Sequence, residues 1–223
     1  MNQFEVFETP AQIASAVASR LSALIQRDSS RKLVALTGGT LGIEVIREFA
    51  NYDKGNLPVR FVFGDERFVE LSHVDRNEHQ GLTAWPGLEK YLLRYPNADH
   101  GLELAAKNFE ISLNQELGEN PVFDLTILGM GPDGHIASLF PGHNSHGDLV
   151  VAESDSPKPP AQRLSLSYKA LNRSRQVWFI ASGAAKADAV RCAKGSDCQL
   201  PVAKVKGLEQ THWFIDQELS RAL

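Results

Sequence analysis

A chain of 223 residues, 43% hydrophobic and 22% charged, has the size and composition of one globular domain, residues 1–223, with a buried core. Its formal net charge of −4 leaves no basic excess to displace counterions from phosphates, so nucleic acid is not an expected partner. No apolar run approaches the roughly 18 residues that span a bilayer, so no membrane association is expected either.

The first residues, MNQFEVFETP, have neither the basic nor the apolar region of a secretory signal, and a cytoplasmic location is expected. Residues 4–7 alternate apolar and polar like a short strand. A helix opens after them: Thr9 can cap it, Pro10 suits its first position, and Gln12 can return the capping bond. Ile13, Val17, Leu21 and Leu24 give that helix an apolar face. KLVAL (32–36) reads as a buried strand, followed by a tight turn at Thr37-Gly38-Gly39-Thr40 and a helix carrying Ile43, Ile46 and Phe49. VRFVF (59–63) is the next strand and ends at Gly64-Asp65-Glu66-Arg67. Residues 77–117 are mostly helical, with breaks at Pro86-Gly87 and Pro96-Asn97.

FDLTIL (123–128) is a strand that feeds LGMGPDGHIASLFPG. After it, residues 135–140 can form a short helix before Pro141-Gly142 stops it, and residues 143–147 are loop formers. SDSPKPPAQ (154–162) reads as a loop, RLSLS (163–167) alternates, and QVWFIAS (176–182) is a strand. GAAKADAVRCA is helical, and HWFID is a last strand running into a short helix. Cys192 and Cys198 are expected as reduced thiols, as the cytoplasm keeps them. Strands alternating with helices predict an α/β fold of Rossmann-like form, a mostly parallel central sheet with helices on both faces.

Four polar or glycine clusters each follow the carboxyl end of a predicted strand: residues 37–40, 64–67, 129–135 and 182–186. That edge is where open α/β sheets bind ligands. Gly129, Gly131 and Gly134 match a dinucleotide-binding fingerprint, and Glu153 supplies an acid at about the expected distance. The flanks refute it. No helix long enough to return to a parallel strand comes after the loop, and the charge of Asp133 would oppose a pyrophosphate.

The alternative is chemistry by a His/Asp pair. An imidazole titrates near neutral pH and is a natural general base, and Asp133 can orient or stabilise the ring of His135, although it can equally cap a short helix. Gly38, Gly39 and Thr40 ahead of a helix suit a phosphate, or form a plain turn. Asp65 and Arg67 can supply a carboxylate and a guanidinium, while Arg163 and Lys186 are cations beside strands. Serine-nucleophile elbows, zinc-hydrolase motifs and phosphate-binding P-loops are missing. The expectation is chemistry without metal or cofactor on a small anionic substrate.

These residues resemble the 6-phosphogluconolactonase family. DLTILGMGPDGHIASLFPG carries the resemblance, with GGT at Gly38, FGDERFV at Phe63, SPKPPAQRLSLS at Ser156 and SGAAKADAV at Ser182 in the same order. Two stretches depart from the family pattern, Thr40-Leu41-Gly42 and Asp75-Arg76-Asn77, of which Asn77 still matches. The resemblance implies hydrolysis of a sugar-phosphate lactone in the pentose phosphate pathway. His135 would be the general base and Asp133 its orienter, and Arg67 would offset carbonyl charge or grip substrate. Asp65 would orient Arg67 or sugar hydroxyls, and Gly38, Gly39, Thr40, Arg163 and Lys186 would hold the phosphate. The related glucosamine-6-phosphate deaminases share a D-G-H loop but continue it with Asn-Glu-Pro, where this chain has Ser138-Leu139-Phe140-Pro141. A non-catalytic sugar-phosphate sensor is the third reading.

Overall fold

The computed structural model describes residues 2–119, 121–143 and 147–223. Thr9 begins the first helix as predicted. Its hydroxyl accepts from the Gln12 N–H at 3.3 Å, while the Gln12 carboxamide oxygen accepts from the Glu8 N–H at 2.8 Å. Among the described residues the strands are β1 (Asn2–Phe7), β2 (Lys32–Leu36), β3 (Val59–Phe63), β4 (Asp65–Arg67), β5 (Phe123–Gly129), β6 (Val150–Glu153), β7 (Arg163–Leu166), β8 (Ser174–Ala181) and β9 (Gln210–Asp216). The helices are α1 (Pro10–Gln26), α2 (Gly39–Phe49), α3 (Asn77–Ala84), α4 (Leu102–Leu117), α5 (Tyr168–Leu171), α6 (Ala187–Lys194) and α7 (Gln217–Ala222). No described helix is long and apolar enough to cross a membrane.

Six strands form one parallel sheet in the order β1-β9-β8-β5-β2-β3. Successive side chains of a strand face opposite sides, and every residue of β2 is buried, so the sheet is covered on both faces. The helices pair off around it, α1 against α2 and α6 against α7. Aromatic rings fill the interior: Trp213 stacks between Phe4 and Phe179, at centroid distances of 5.4 and 4.3 Å. From β2 the chain steps outward to β3, whereas from β5 it steps the other way through β8 to β9. The direction therefore reverses between β2 and β5, which lie side by side with Val34 opposite Leu125. No crossover covers the carboxyl ends of the strands at such a point.

The sequence pattern did not anticipate a second sheet. It is antiparallel, in the order β4-β7-β6, with Asp65 opposite Ser165 and Arg67 opposite Arg163. β4 is only three residues long and comes after β3 with a single glycine between them, so periodicity has nothing to act on there. The helix expected at residues 135–140 does not form; Ile136 and Leu139 instead close a tight turn through both backbone bonds, at 3.4 and 2.9 Å. Residues 144–146 of the expected loop after it lie outside the described residues.

The two cysteines also differ from expectation. Cys192 and Cys198 form a disulfide, with Cα atoms 5.3 Å apart, and are not free thiols. The cause is local. α6 ends at Gly195, whose N–H closes on the Cys192 carbonyl at 2.8 Å, and the chain folds back across the helix end. A compartment argument cannot see such a turn. Closing so short a loop restricts the unfolded chain, which predicts a loss of about 2 kcal/mol on reduction. Urea unfolding with and without a dithiol reductant measures this, and Cys192→Ser/Cys198→Ser should match the reduced protein.

Candidate active site

The four clusters predicted at the carboxyl edge of the sheet meet there. They enclose a cavity of about 390 Å³ whose lining includes Gly38, Gly39, Thr40, Asp65, Arg67, His135, Arg163 and Lys186. Asp133 stands behind His135. One of its oxygens lies 2.5 Å from His135 Nδ1 and also accepts the His135 backbone N–H at 3.3 Å. A carboxylate only accepts, so Nδ1 carries a proton, and in the neutral ring the lone pair then lies on Nε2. Burial opposes ionisation of Asp133, but its bonds to His135 and the charge there outweigh this and hold the carboxyl below its ordinary range.

The glycines that resembled a dinucleotide fingerprint serve this pair. A Cβ on Gly131 would fall 2.1 Å from the imidazole and 2.5 Å from Asp133 Oδ1. The Gly134 N–H closes on Gly131 O at 3.0 Å, and φ +78° at Gly134 turns the chain back so that His135 O accepts the Gly131 N–H at 3.0 Å, completing the loop. Val202 N–H holds the Gly134 carbonyl from below at 3.0 Å, and Leu200 packs on the Gly134 backbone.

Across the cavity, α2 begins at Gly39 with no side-chain cap and no acid in its first turn. Its leading N–H groups and the positive end of its dipole therefore face the cavity uncompensated, which suits an anion. Gly38 is pressed against Asn77, whose Oδ1 would sit 2.0 Å from an added Cβ. Lys186 approaches from the loop after β8. Burial lowers its pKa; the Asp216 carboxylate opposes that fall and the charge of Lys158 adds to it. Two ammonium groups thus line the same cavity as the start of α2.

Lys158 escaped the sequence reading, and Arg163 shows why. Arg163 is buried and donates to three carbonyls, Pro160 at 2.8 Å, Lys158 at 2.9 Å and Pro159 at 3.3 Å. Those bonds fix the proline-rich segment as a wall of the cavity, with Lys158 and Pro159 on its lining. Only Arg163 Nη1 remains, 3.9 Å from Asp65. The available signal was a lysine beside a rigid Pro-Pro pair.

Arg67 lines the cavity, and its Nη1 donates to the Asp75 carbonyl. Asp65 is expected to orient Arg67 or sugar hydroxyls, and its hydrogen bonds go to neither. Its carboxylate accepts from Ser138 Oγ at 2.5 Å and from Asn77 Nδ2 at 3.4 Å. The departure at Arg76 is structural. Its fully buried guanidinium pairs with Glu78 at 3.0 Å and donates to the carbonyls of Val69, Tyr95 and Pro96. Glu66 accepts the N–H groups of Asn77 and Glu78 at the start of α3, and burial, with Glu78 nearby, pushes its pKa up to about 7. Asn77, next in the chain after Arg76, is thereby delivered to the cavity wall.

An imidazole braced by a carboxylate, a guanidinium and two lysines in one cleft suit hydrolysis of a small phosphorylated substrate. Residues 8–213 match the model of the glucosamine-6-phosphate isomerase/6-phosphogluconolactonase family. The chain belongs to this family. It is 36% identical to a 6-phosphogluconolactonase of Mycobacterium leprae, over 96% of this chain and 95% of the relative. It is 33% identical to the Homo sapiens 6-phosphogluconolactonase, over 97% and 90%. The 6-phosphogluconolactonase structure from Thermotoga maritima superposes with a TM-score of 0.85 at 27% identity, over 97% of this chain and all of that one. A monomeric glucosamine-6-phosphate deaminase shares the fold, with a TM-score of 0.80 at 18% identity over 99% of this chain and 100% of its own. Since Gly131 leaves room for the imidazole in this family member, Gly131→Ala should abolish the downfield Nδ1 proton signal of the His135–Asp133 pair in proton NMR without unfolding the protein.

Proposed function

We propose that this protein hydrolyses 6-phospho-D-glucono-1,5-lactone to 6-phospho-D-gluconate, the lactone-opening step of the oxidative pentose phosphate pathway. The observation that carries this is the orientation of His135: Asp133 occupies Nδ1, leaving Nε2 as the basic nitrogen of a residue that lines the cleft. In the reaction Nε2 takes a proton from water as the oxygen attacks the lactone carbonyl. The tetrahedral intermediate then expels the ring oxygen, and the imidazolium returns the proton to it. Asp133 stabilises the transient imidazolium. Base catalysis of this kind contributes about 10²–10⁴-fold, and needs neither a covalent intermediate nor a metal.

Arg67 offsets the charge that develops on the carbonyl oxygen. The phosphate rests on Gly38, Gly39 and Thr40 at the start of α2, between Lys158 and Lys186. Arg163 acts at one remove by holding the segment that carries Lys158. The deaminase reading has no support at residues 138–140, where Ser138, Leu139 and Phe140 are buried and supply no acid. A doubly charged substrate does not cross an apolar bilayer unaided. A location in the cytoplasm, on the same side of the bilayer as its substrate, fits this reading.

His135→Ala should lower kcat on the phosphorylated lactone at least a hundredfold with the fold intact, in an assay corrected for spontaneous opening. Near-normal turnover would remove His135 from the mechanism, and ammonia release from glucosamine 6-phosphate would point to the deaminase. Saturable binding without turnover by the unaltered protein would indicate a sensor. Lys158→Ala and Lys186→Ala should each raise KM for the phosphorylated lactone about tenfold and leave the unphosphorylated lactone unaffected. Equal effects on both lactones would refute the phosphate seat.

A further inference from the structure

Two residues beyond His135 the backbone does something costly. Ala137 has φ +47°, and it is the only non-glycine residue with positive φ among the described residues. It occupies the tip of the turn closed by Ile136 and Leu139 and lines the cavity. A conformation that an alanine resists persists only where its surroundings impose it. Ile136 and Leu139, fully buried, anchor the base of the turn. The tip is anchored by Ser138, which is 1% exposed. Its hydroxyl donates to Asp65 Oδ2 at 2.5 Å, and its backbone N–H donates to Ser165 Oγ at 3.2 Å. Asp65 and Ser165 face each other across β4 and β7, so both bonds end on one rung of the small sheet. Asp65 is itself held, since Asn77 Nδ2 donates to its backbone carbonyl at 2.8 Å and only a tenth of its side chain is exposed.

We infer that the Ser138–Asp65 hydrogen bond is a clip that locks the His135 turn onto the strand bearing Arg67, by holding Ala137 in its left-handed conformation. Ser138 and Asp65 are positioning residues. Asp65 acts through Ser138 and not on the sugar acid. The clip sets the separation between the base that activates water and the guanidinium that meets the carbonyl oxygen. The effect on turnover rests on the lactonase reading; the effect on the turn does not.

The experiment compares Ser138→Ala, Asp65→Ala, Asp65→Asn and the double variant Ala137→Gly/Ser138→Ala, each first checked for cooperative thermal unfolding. Ser138→Ala and Asp65→Ala should each lower kcat on the phosphorylated lactone at least tenfold and leave KM within twofold. Asp65→Asn keeps an oxygen that can accept from Ser138 and should recover most of the kcat that Asp65→Ala loses. In the double variant glycine adopts positive φ unaided, so most of the kcat lost in Ser138→Ala should return. Wild-type kcat in Ser138→Ala, equal losses in Asp65→Asn and Asp65→Ala, or no rescue by glycine would each overturn the clip. Should the unaltered protein fail to open the lactone, the substrate reading fails alone. The clip is then read from the His135 Nδ1 proton signal, which Ser138→Ala should broaden and Asp65→Asn should preserve; an unchanged signal in Ser138→Ala would overturn it.

Discussion

The parallel pairing of β2 with β5 is the constraint on which the rest depends. Each strand must leave the sheet at its carboxyl end and return through a connection, and connections on the two sides of this pair run in opposite directions. The crevice between them stays open because no segment is topologically required to cross it. The turn after β2 supplies an uncapped helix start, and the turn after β5 supplies the imidazole. The two face each other because their strands are neighbours. Chemistry placed after any non-adjacent pair of strands would be further apart by at least one strand spacing, about 4.8 Å.

That crevice also explains how a chain of net charge −4 can present a cationic site. The acids near it are already engaged. Asp133 is committed to His135, Asp65 to Ser138 and Asn77, and Asp216 to Ser182 Oγ and the N–H of Leu219 at the start of α7. Each carboxylate is held by donors, while Lys158, Lys186 and the start of α2 line the cavity. A local field is decided by which charges are compensated and not by their sum.

Much of this is legible in the sequence, and the remainder is hidden for identifiable reasons. The parallel strands announce themselves as apolar runs, and the turns after them as glycine and polar clusters, because burial on both faces and tight reversal leave residue-level marks. β4 and β6 leave weak marks, being three and four residues long and stabilised by a distant partner strand. Arg163 reads as a cation near a strand, but its carbonyl partners lie in a segment whose path no periodicity describes. Lys158 is hidden by the same lack of pattern. Its value comes from where Arg163 holds it. Arg76 stands out only as a departure from the family pattern, whereas burial beside Glu66 and Glu78 makes it part of the scaffold under the site. For the cysteines compartment is the wrong guide, since the deciding fact is the turn at Gly195.

The G-x-G-x-x-G string shows how one pattern can have two physical causes. In a dinucleotide fold such glycines let a backbone approach a pyrophosphate and pack a helix on its strand. Here Gly131 leaves space for an imidazole and Gly134 supplies a backbone angle that closes a loop beneath it. The string alone does not distinguish them, since both need a missing side chain near the end of a strand. The segment on its carboxyl side does. A long helix would put dipole and N–H groups at the loop, whereas a short turn tied down through Ser138 puts a side chain there instead. An uncapped helix start is present all the same, but in this protein it follows the neighbouring strand, β2, so helix start and imidazole meet from two separate turns.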